Sequence, residues 1–287
     1  MIKRLALIGV GLIGGSLSLA LKRSNQVEHV VGYARTETSL KKGVELNILD
    51  SYSTSLEAAV ADCDVVVLAV PLGAMSPVLQ QIAPRVKPSC VITDAGSAKA
   101  TVATSAKTAL GSLYSQFVPG HPIAGTEHSG VESGFAELFQ QRKVILTPDE
   151  AVSTEALTTV QNMWQACGAQ VEIMSVEHHD QIFAATSHLP HMLAYSLVNC
   201  LAKLEDQVEI FKYAAGGFRD ISRVASSNPN MWRDVCVHNK QALAKMMHQY
   251  SIELAELAEK IDQSDEEGLY DYFEQAKTCR DKLIGSC

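Results

Sequence analysis

The chain has 287 residues, a formal net charge of −8 and 47% hydrophobic residues. That length supplies core for one large domain or two modest ones. The acidic balance, with no basic run to offset it, excludes a nucleic-acid or anionic-membrane surface as the natural partner. No apolar stretch reaches the roughly 18 to 20 residues of a membrane helix.

The N-terminal stretch MIKRLALIGVGLIGG starts with basic residues and an apolar run, as a secretion signal does. Its glycines fall at a nucleotide-binding spacing and no small-residue cleavage site fits as well, so it reads as a first strand. Cys63, Cys90, Cys167, Cys200, Cys236, Cys279 and Cys287 are odd in number, scattered and free of any C-x-x-C. Reduced thiols in a cytoplasmic protein are the simplest reading.

Up to about residue 174, short apolar runs alternate with helical patterns. The runs are RLALIGV, EHVVGY, DVVVLAVP, SCVITDA, KVILT and QVEIM. Several are nearly unbroken hydrophobics, as in parallel strands buried on both faces. Amphipathic stretches at 12–24, 73–86, 98–110 and 153–167 lie between them. The alternation predicts an α/β doubly wound parallel sheet over residues 1–174.

Beyond Ser175 no strand-like run appears, and residues 175–287 read as an all-helical second domain with breaks near 204–207, 224–229 and 262–265. Asn228-Pro229 reads as an N-cap with proline at the first helical position. Ser264 and Glu267 fit a capping box. One helix is expected from Asn228 to about Ile261, about 50 Å at roughly 1.5 Å per residue. That is long for so small a domain, and a dimer partner would cover part of it.

Gly9-x-Gly11-x-x-Gly14 follows a strand and opens a helix, the context a dinucleotide fingerprint requires. Gly9 permits the tight turn, Gly11 the approach of the pyrophosphate, and Gly14 close helix–strand packing. The free N–H groups where Leu12 and Ile13 open the helix hold the phosphates. The strand within 64–71 ends at Val70 and Pro71, on the carboxyl edge of the sheet where such ligands bind. An acid is expected about 20 positions past the fingerprint to bond the adenine ribose. Ala34 stands there instead, followed by Arg35 and Thr36, which suit a 2′-phosphate. NADP is therefore favoured and NAD remains possible.

Two loops look chemical. TDAGSAKA (93–100) leaves a strand at the same edge, and VPGHPIAGTEHSG (118–130) is too rich in glycine, proline and histidine for a regular element. Dehydrogenation of an alcohol needs a base; His121 is the candidate, with Ser97 to orient it. A structural turn histidine is the competing reading. In the helical half, SHLPH (187–191) sets His188 and His191 on one side of a helix begun or kinked by Pro190. GGFRDISR (216–223) sets Arg219 and Arg223 on one face, with Asp220 between them. Arginine suits bidentate binding of a carboxylate, and a surface ion pair is the bland alternative. The two histidines could equally be hydrogen-bonded core residues. A zinc site from His178, His179, His188 and His191 lacks a standard spacing, and no metal is expected.

The ordered set GVGLIGGSL, TDAGSAK, GHPIAGTEHSG, SHLPH, GGFRDISR and NPNMWRD resembles the prephenate/arogenate dehydrogenase family (cyclohexadienyl dehydrogenases) from about residue 4 to 283. The resemblance implies a Rossmann-type dinucleotide domain followed by an all-α dimerisation domain. It implies oxidative decarboxylation of prephenate or arogenate in tyrosine biosynthesis, with hydride transfer to a nicotinamide cofactor. By the same matching, His121 accepts the proton of the substrate's 4-hydroxyl and Ser97 stands beside it and the nicotinamide. Arg223 binds the ring carboxylate, and His188, His191, Gly216 and Trp232 lie around the substrate. Glu127 and Asp220 could favour the ammonium of arogenate or could pair with Arg219 and Arg223. The family implies a homodimer through the helical domain. Neither a chorismate mutase domain before the first strand nor a regulatory domain after the helices is expected. Hydroxyacid dehydrogenases and imine reductases share the two-part build but lack the GHPIAG and SHLPH pair. A dinucleotide-sensing protein without activity need not keep His121, Ser97 and Arg223 together.

Overall fold

The structure is a computed structural model that describes residues 1–126 and 128–283. Six strands form a parallel sheet: β1 (Ile2–Ile8), β2 (Val27–Tyr33), β3 (Ser51–Tyr52), β4 (Val65–Leu68), β5 (Val91–Asp94) and β6 (Phe117–Val118). Their order, β3-β2-β1-β4-β5-β6, reverses direction of winding between β1 and β4. The helices between them are α1 (Leu12–Arg23), α2 (Glu37–Glu45), α3 (Leu56–Val60), α4 (Leu72–Ile82) and α5 (Ala100–Leu110).

The unbroken apolar runs are explained by two cores, one on each sheet face. Leu5, Leu7, Val65 and Val67 point to one, against Leu17 and Leu21 of α1. Ala6, Ile8, Val66 and Leu68 point to the other, against Met75 and Leu79 of α4. With side chains alternating across a strand, both faces must be apolar. The doubly wound sheet expected from the sequence is therefore observed.

Three details differ from the sequence expectation. The runs KVILT and QVEIM form β8 (Lys143–Leu146) and β9 (Gln170–Ile173), outside the main sheet. They join β7 (Gly120–Pro122) in a separate sheet of order β7-β8-β9, with β7 antiparallel to β8. The chain leaves the parallel sheet at Pro119, whose carbonyl accepts from Thr147 N–H at 3.0 Å. That departure carries His121 away from β6. Helix α6 (Thr154–Ala166) covers this region and buries Trp164 completely.

The second difference is the long helix. It is interrupted at Asn239, whose backbone leaves the helical region (φ −111°, ψ 32°), giving α11 (Pro229–His238) and α12 (Lys240–Asp262) after the helices α7 (Val176–Phe183), α8 (Leu189–Leu201), α9 (Gln207–Lys212) and α10 (Gly216–Ser222). Asn228 does cap α11, its side chain accepting from Asn230 and Met231 N–H. Third, α13 (Glu266–Leu283) is capped by Asp265, which accepts from Gly268 N–H at 3.0 Å. Ser264 instead turns the chain with φ +53°, so the expected capping box is absent.

By packing, the chain divides into Met1–Lys240 and Gln241–Cys287. Within the first unit, Trp232 and Val235 of α11 join the core built on β4 and α4. The Asp234 carboxylate accepts from Gly73 N–H at 3.3 Å, which ties α11 to the start of α4. The second unit carries large apolar side chains at least half exposed: Ile252, Leu254 and Ile261 on α12, Tyr270 and Phe273 on α13. Among the described residues, no helix is long and apolar enough to cross a membrane.

Candidate active site

The carboxyl ends of β1, β4 and β5 are adjacent, so their loops share one edge of the sheet. Gly9 leaves β1 with φ +101°, and a Cβ there would stand 2.3 Å from the Ala69 carbonyl oxygen. Only glycine fits. A Cβ on Gly11, by contrast, would meet nothing within 4 Å. Gly11 is the N-cap of α1 and offers no side-chain cap to the first N–H groups. An open approach to uncapped donors of a 12-residue helix fits a pyrophosphate, and Leu12 and Ile13 open that helix. Val70 packs beside this turn, its Cγ1 lying 3.1 Å from the position of a Cβ on Gly9. Pro71 is the N-cap of α4. At the end of β2, Ala34 packs against the core while Arg35 and Thr36 are exposed. Arg35 has no ion-pair partner among the described residues.

The loop after β5 is built around a buried ion pair. Lys99 is fully buried, and its ammonium donates to the Asp94 carboxylate and, at 2.6 Å, to the Gly120 carbonyl. Asp94 also accepts from Gly96 N–H at 2.8 Å and Gly120 N–H at 3.1 Å. Both ends of β7's first residue are thus held by this pair, one position before His121. Burial pushes the Lys99 ammonium down, and Asp94 opposes that shift.

His121 Nδ1 lies 2.8 Å from His179 Nε2, and His179 Nδ1 lies 2.8 Å from Asp180 Oδ1. Both histidines come against Phe183, with ring centroids 4.9 and 4.5 Å away. Burial first, then the neighbouring His179, Lys99 and His188, pushes the His121 pKa well below its ordinary value. It is therefore neutral near neutral pH, as a base must be. Asp180 reaches the first loop too, accepting from Lys99 N–H at 2.8 Å and Ala100 N–H at 2.9 Å.

A second cluster lies at the start of α8. The π-helical turn Ala184–His188 leads into it, with Pro190 in the first turn. His191 stacks on Trp232 at 3.9 Å between ring centroids, and His188 meets the same indole edge-on at 6.0 Å. The pKa of His188 is pushed down to about 4, chiefly by burial. Its Nε2 and the Trp232 Nε1 are buried without a hydrogen-bond partner among the described residues. The Asn239 amide donates to the Asp180 carbonyl at 2.9 Å and lies 3.1 Å from His188 Nδ1, joining the two clusters. Arg223 is exposed and has no ion-pair partner among the described residues; burial, and after it the charge of Arg223, lowers the pKa of His191. Gly216 opens α10, which packs on α8.

Ser97 is half-buried on the loop before α5 and makes no hydrogen bond among the described residues; the ring of His121 is held by His179 instead. Glu127 lies outside the described residues. Among those described, no group of three or more His, Cys, Asp or Glu side chains is placed to hold a metal ion. Sequence reasoning gave no role to Asp94, Lys99, Asp180 or Asn239, and considered His179 only for zinc. A lysine inside the otherwise small and apolar AGSAKA, and a His-Asp pair opening a helix, were the available signals.

A glycine turn over a free helix end, on the same sheet edge as a neutral histidine held in a buried polar network, defines a dinucleotide-binding oxidoreductase. Residues 17–173 match the family described as "Prephenate dehydrogenase, nucleotide-binding domain", and residues 175–275 match "Prephenate dehydrogenase, dimerization domain". The chain belongs to the prephenate dehydrogenase family. It is 37% identical to a cyclohexadienyl dehydrogenase of Zymomonas mobilis, over 97% of this chain and 95% of that protein. Its fold is similar to that of the Aquifex aeolicus prephenate dehydrogenase solved with hydroxyphenyl propionate and NAD+, with TM-score 0.92, 36% identity and 99% of each chain covered. A Synechocystis arogenate dehydrogenase superposes with TM-score 0.83 at 29% identity, over 97% of this chain and 99% of that one.

Proposed function

We propose that this enzyme oxidatively decarboxylates prephenate, arogenate or both, with His121 taking the proton of the 4-hydroxyl. The observation that carries the reading is the pair of hydrogen-bonded clusters joined by Asn239. One holds a neutral base; the other presents buried nitrogens of His188 and Trp232, beside His191 and the guanidinium of Arg223, that have no partner among the described residues. An acceptor-rich, carboxylate-bearing ring satisfies those groups. When bound, the dinucleotide supplies the hydride acceptor. Gly9, Gly11, Leu12, Ile13 and Gly14 would hold its phosphates, and Val70 and Pro71 would line it. Ser97, on the same sheet edge, is assigned to the space beside His121 and the nicotinamide. Gly216 leaves open room at the start of α10, where no atom lies within 4 Å of a Cβ position. Glu127, from the same loop as His121, is kept as a substrate contact on the family resemblance alone.

NADP is the favoured cofactor and NAD the secondary one. The position that would carry a repelling acid holds Ala34, and Arg35, with no ion-pair partner among the described residues, can pair with a 2′-phosphate. The nearest acid, Glu37, is engaged by Lys41 at 3.3 Å and by the Tyr52 hydroxyl at 3.1 Å. The test compares kcat/KM for both substrates and both cofactors in the parent, Ala34→Asp and Arg223→Ala. Ala34→Asp is expected to move the preference toward NAD by roughly tenfold or more, the scale of one like-charge contact near a surface. Arg223→Ala is expected to raise KM for the substrate with little change in cofactor KM, since a hydrogen bond to a charged group contributes about 1.5–3 kcal/mol. A parent that prefers NAD, or an unchanged substrate KM in Arg223→Ala, contradicts the corresponding assignment.

We keep the functional division at 174/175 as a proposal; it is supported by the changeover between the two family matches, whereas packing divides the chain after Lys240. The exposed apolar faces of α12 and α13 support a homodimer through the helical half. Sedimentation is expected to show a dimer, and a concentration-independent monomer contradicts it. A cytoplasmic location agrees with the six described cysteines, all free thiols.

A further inference from the structure

The network around His121 has an end that can only accept. Burial works against ionisation of Asp180, yet His179 and the N–H groups of Ala100 and Lys99 hold its carboxyl below the usual range. An ionised carboxylate has no proton to give. The hydrogen between Asp180 Oδ1 and His179 Nδ1 therefore belongs to His179. Burial also lowers the pKa of His179, so its ring is neutral and its Nε2 is bare. That bare nitrogen lies 2.8 Å from His121 Nδ1, and a hydrogen bond there requires His121 Nδ1 to be the donor. In a neutral imidazole the other nitrogen is then an acceptor. Unconstrained histidine favours the opposite form, with hydrogen on Nε2.

We propose that His179, anchored by Asp180, is a positioning residue that fixes His121 as the Nδ1–H tautomer and keeps Nε2 bare for the substrate's hydroxyl proton. Phe183 packs on both rings and holds them in register. As the O–H bond breaks, its proton forms the Nε2–H bond and the electron pair stays on oxygen. His121 then carries hydrogens on both nitrogens. Its Nδ1–H bond to His179, backed by the Asp180 carboxylate, supports the new positive charge. The other charged or titratable groups facing this pair are Lys99 at the start of α5, Asp94 on β5 and His188 before α8. Lys99 opposes the positive charge, but its ammonium is held by Asp94 and the Gly120 carbonyl.

The inference rests on His121 being the base, but it can be read without turnover. In protein labelled with 15N-histidine, at mildly alkaline pH, long-range 1H–15N spectra distinguish protonated from bare ring nitrogens. The His121 signals are assigned by their loss in His121→Asn. The parent is expected to show hydrogen on Nδ1 and a bare Nε2. His179→Phe is expected to move the hydrogen to Nε2 and to lower kcat roughly 10-fold or more, because a base in the wrong tautomer cannot accept. Substrate KM and dinucleotide Kd stay within about twofold. His179→Gln, whose carbonyl can accept from Nδ1–H while its amide faces Asp180, is expected to restore most of the rate. A parent His121 with hydrogen on Nε2 overturns the proposal, even if a variant does not fold. So does a His179→Phe protein with unchanged tautomer and kcat. A near-parental kcat in His121→Asn instead removes His121 as the base and leaves the tautomer result standing.

Discussion

His121→Asn is expected to lower kcat by roughly 100-fold or more, the usual scale for loss of a general base. The fold and dinucleotide affinity should survive. An asparagine amide can replace Nδ1–H as a donor toward His179, and the residue's backbone is held by β8, where His121 pairs with Ile145. The glycine turn is built from β1 and β4 rather than from this loop. A steady-state rate measurement at saturating substrate, with dinucleotide binding as the control, separates the outcomes. A kcat within a few-fold of the parent means that His121 is structural.

Lys99→Met is expected to be the most destabilising single substitution at the site. Methionine fills most of the volume but leaves the Asp94 carboxylate buried without its cation. Breaking a buried pair in this way costs about 3–5 kcal/mol. In a chain of this size, a loss of 1 kcal/mol corresponds to a fall in Tm of roughly 2–4 °C. Asp94 would keep the Gly96 and Gly120 N–H groups, which makes its own removal no remedy: two buried backbone donors would then lose their acceptor. Activity should fall further than the remaining folded fraction, because the ammonium also holds the Gly120 carbonyl beside His121. Thermal unfolding monitored by circular dichroism checks the first part; a Tm within about 2 °C of the parent, less than 1 kcal/mol, would show that the pair contributes little.

What could be seen in the sequence follows from which contacts are local. The glycine turn, the Asn228 cap and the strands buried on both faces each arise from residues near one another in the chain, and each leaves a pattern. The buried Lys99 does not. Its partners are Asp94, five residues back, and the Gly120 carbonyl, 21 residues on, and one lysine in a loop otherwise reads as a solvated residue. Asp180 bonds N–H groups 80 and 81 residues away, so its role appears only once α7 is packed against the start of α5. The long helix failed for the same reason. The apolar spacing continues through Asn239, but the Asn239 amide serves Asp180 and His188, 59 and 51 residues distant, and the backbone bends at that residue. The small sheet was misread because KVILT and QVEIM have the same composition as the main strands; only the chain's departure at Pro119 separates them. His121 was singled out in the sequence and its hydrogen-bond partner His179 was not, because the first lies in an unusual loop and the second in an ordinary amphipathic helix.

We propose that a neutral His121 in this network serves dehydrogenation with decarboxylation of a cyclohexadienyl substrate. The most direct measurement follows reduced nicotinamide and carbon dioxide together, with purified enzyme, prephenate or arogenate, and NADP or NAD. Equal amounts of both products are expected with at least one substrate, faster with NADP, and both should be lost in parallel in His121→Asn. No dinucleotide reduction with any of the four combinations would contradict it.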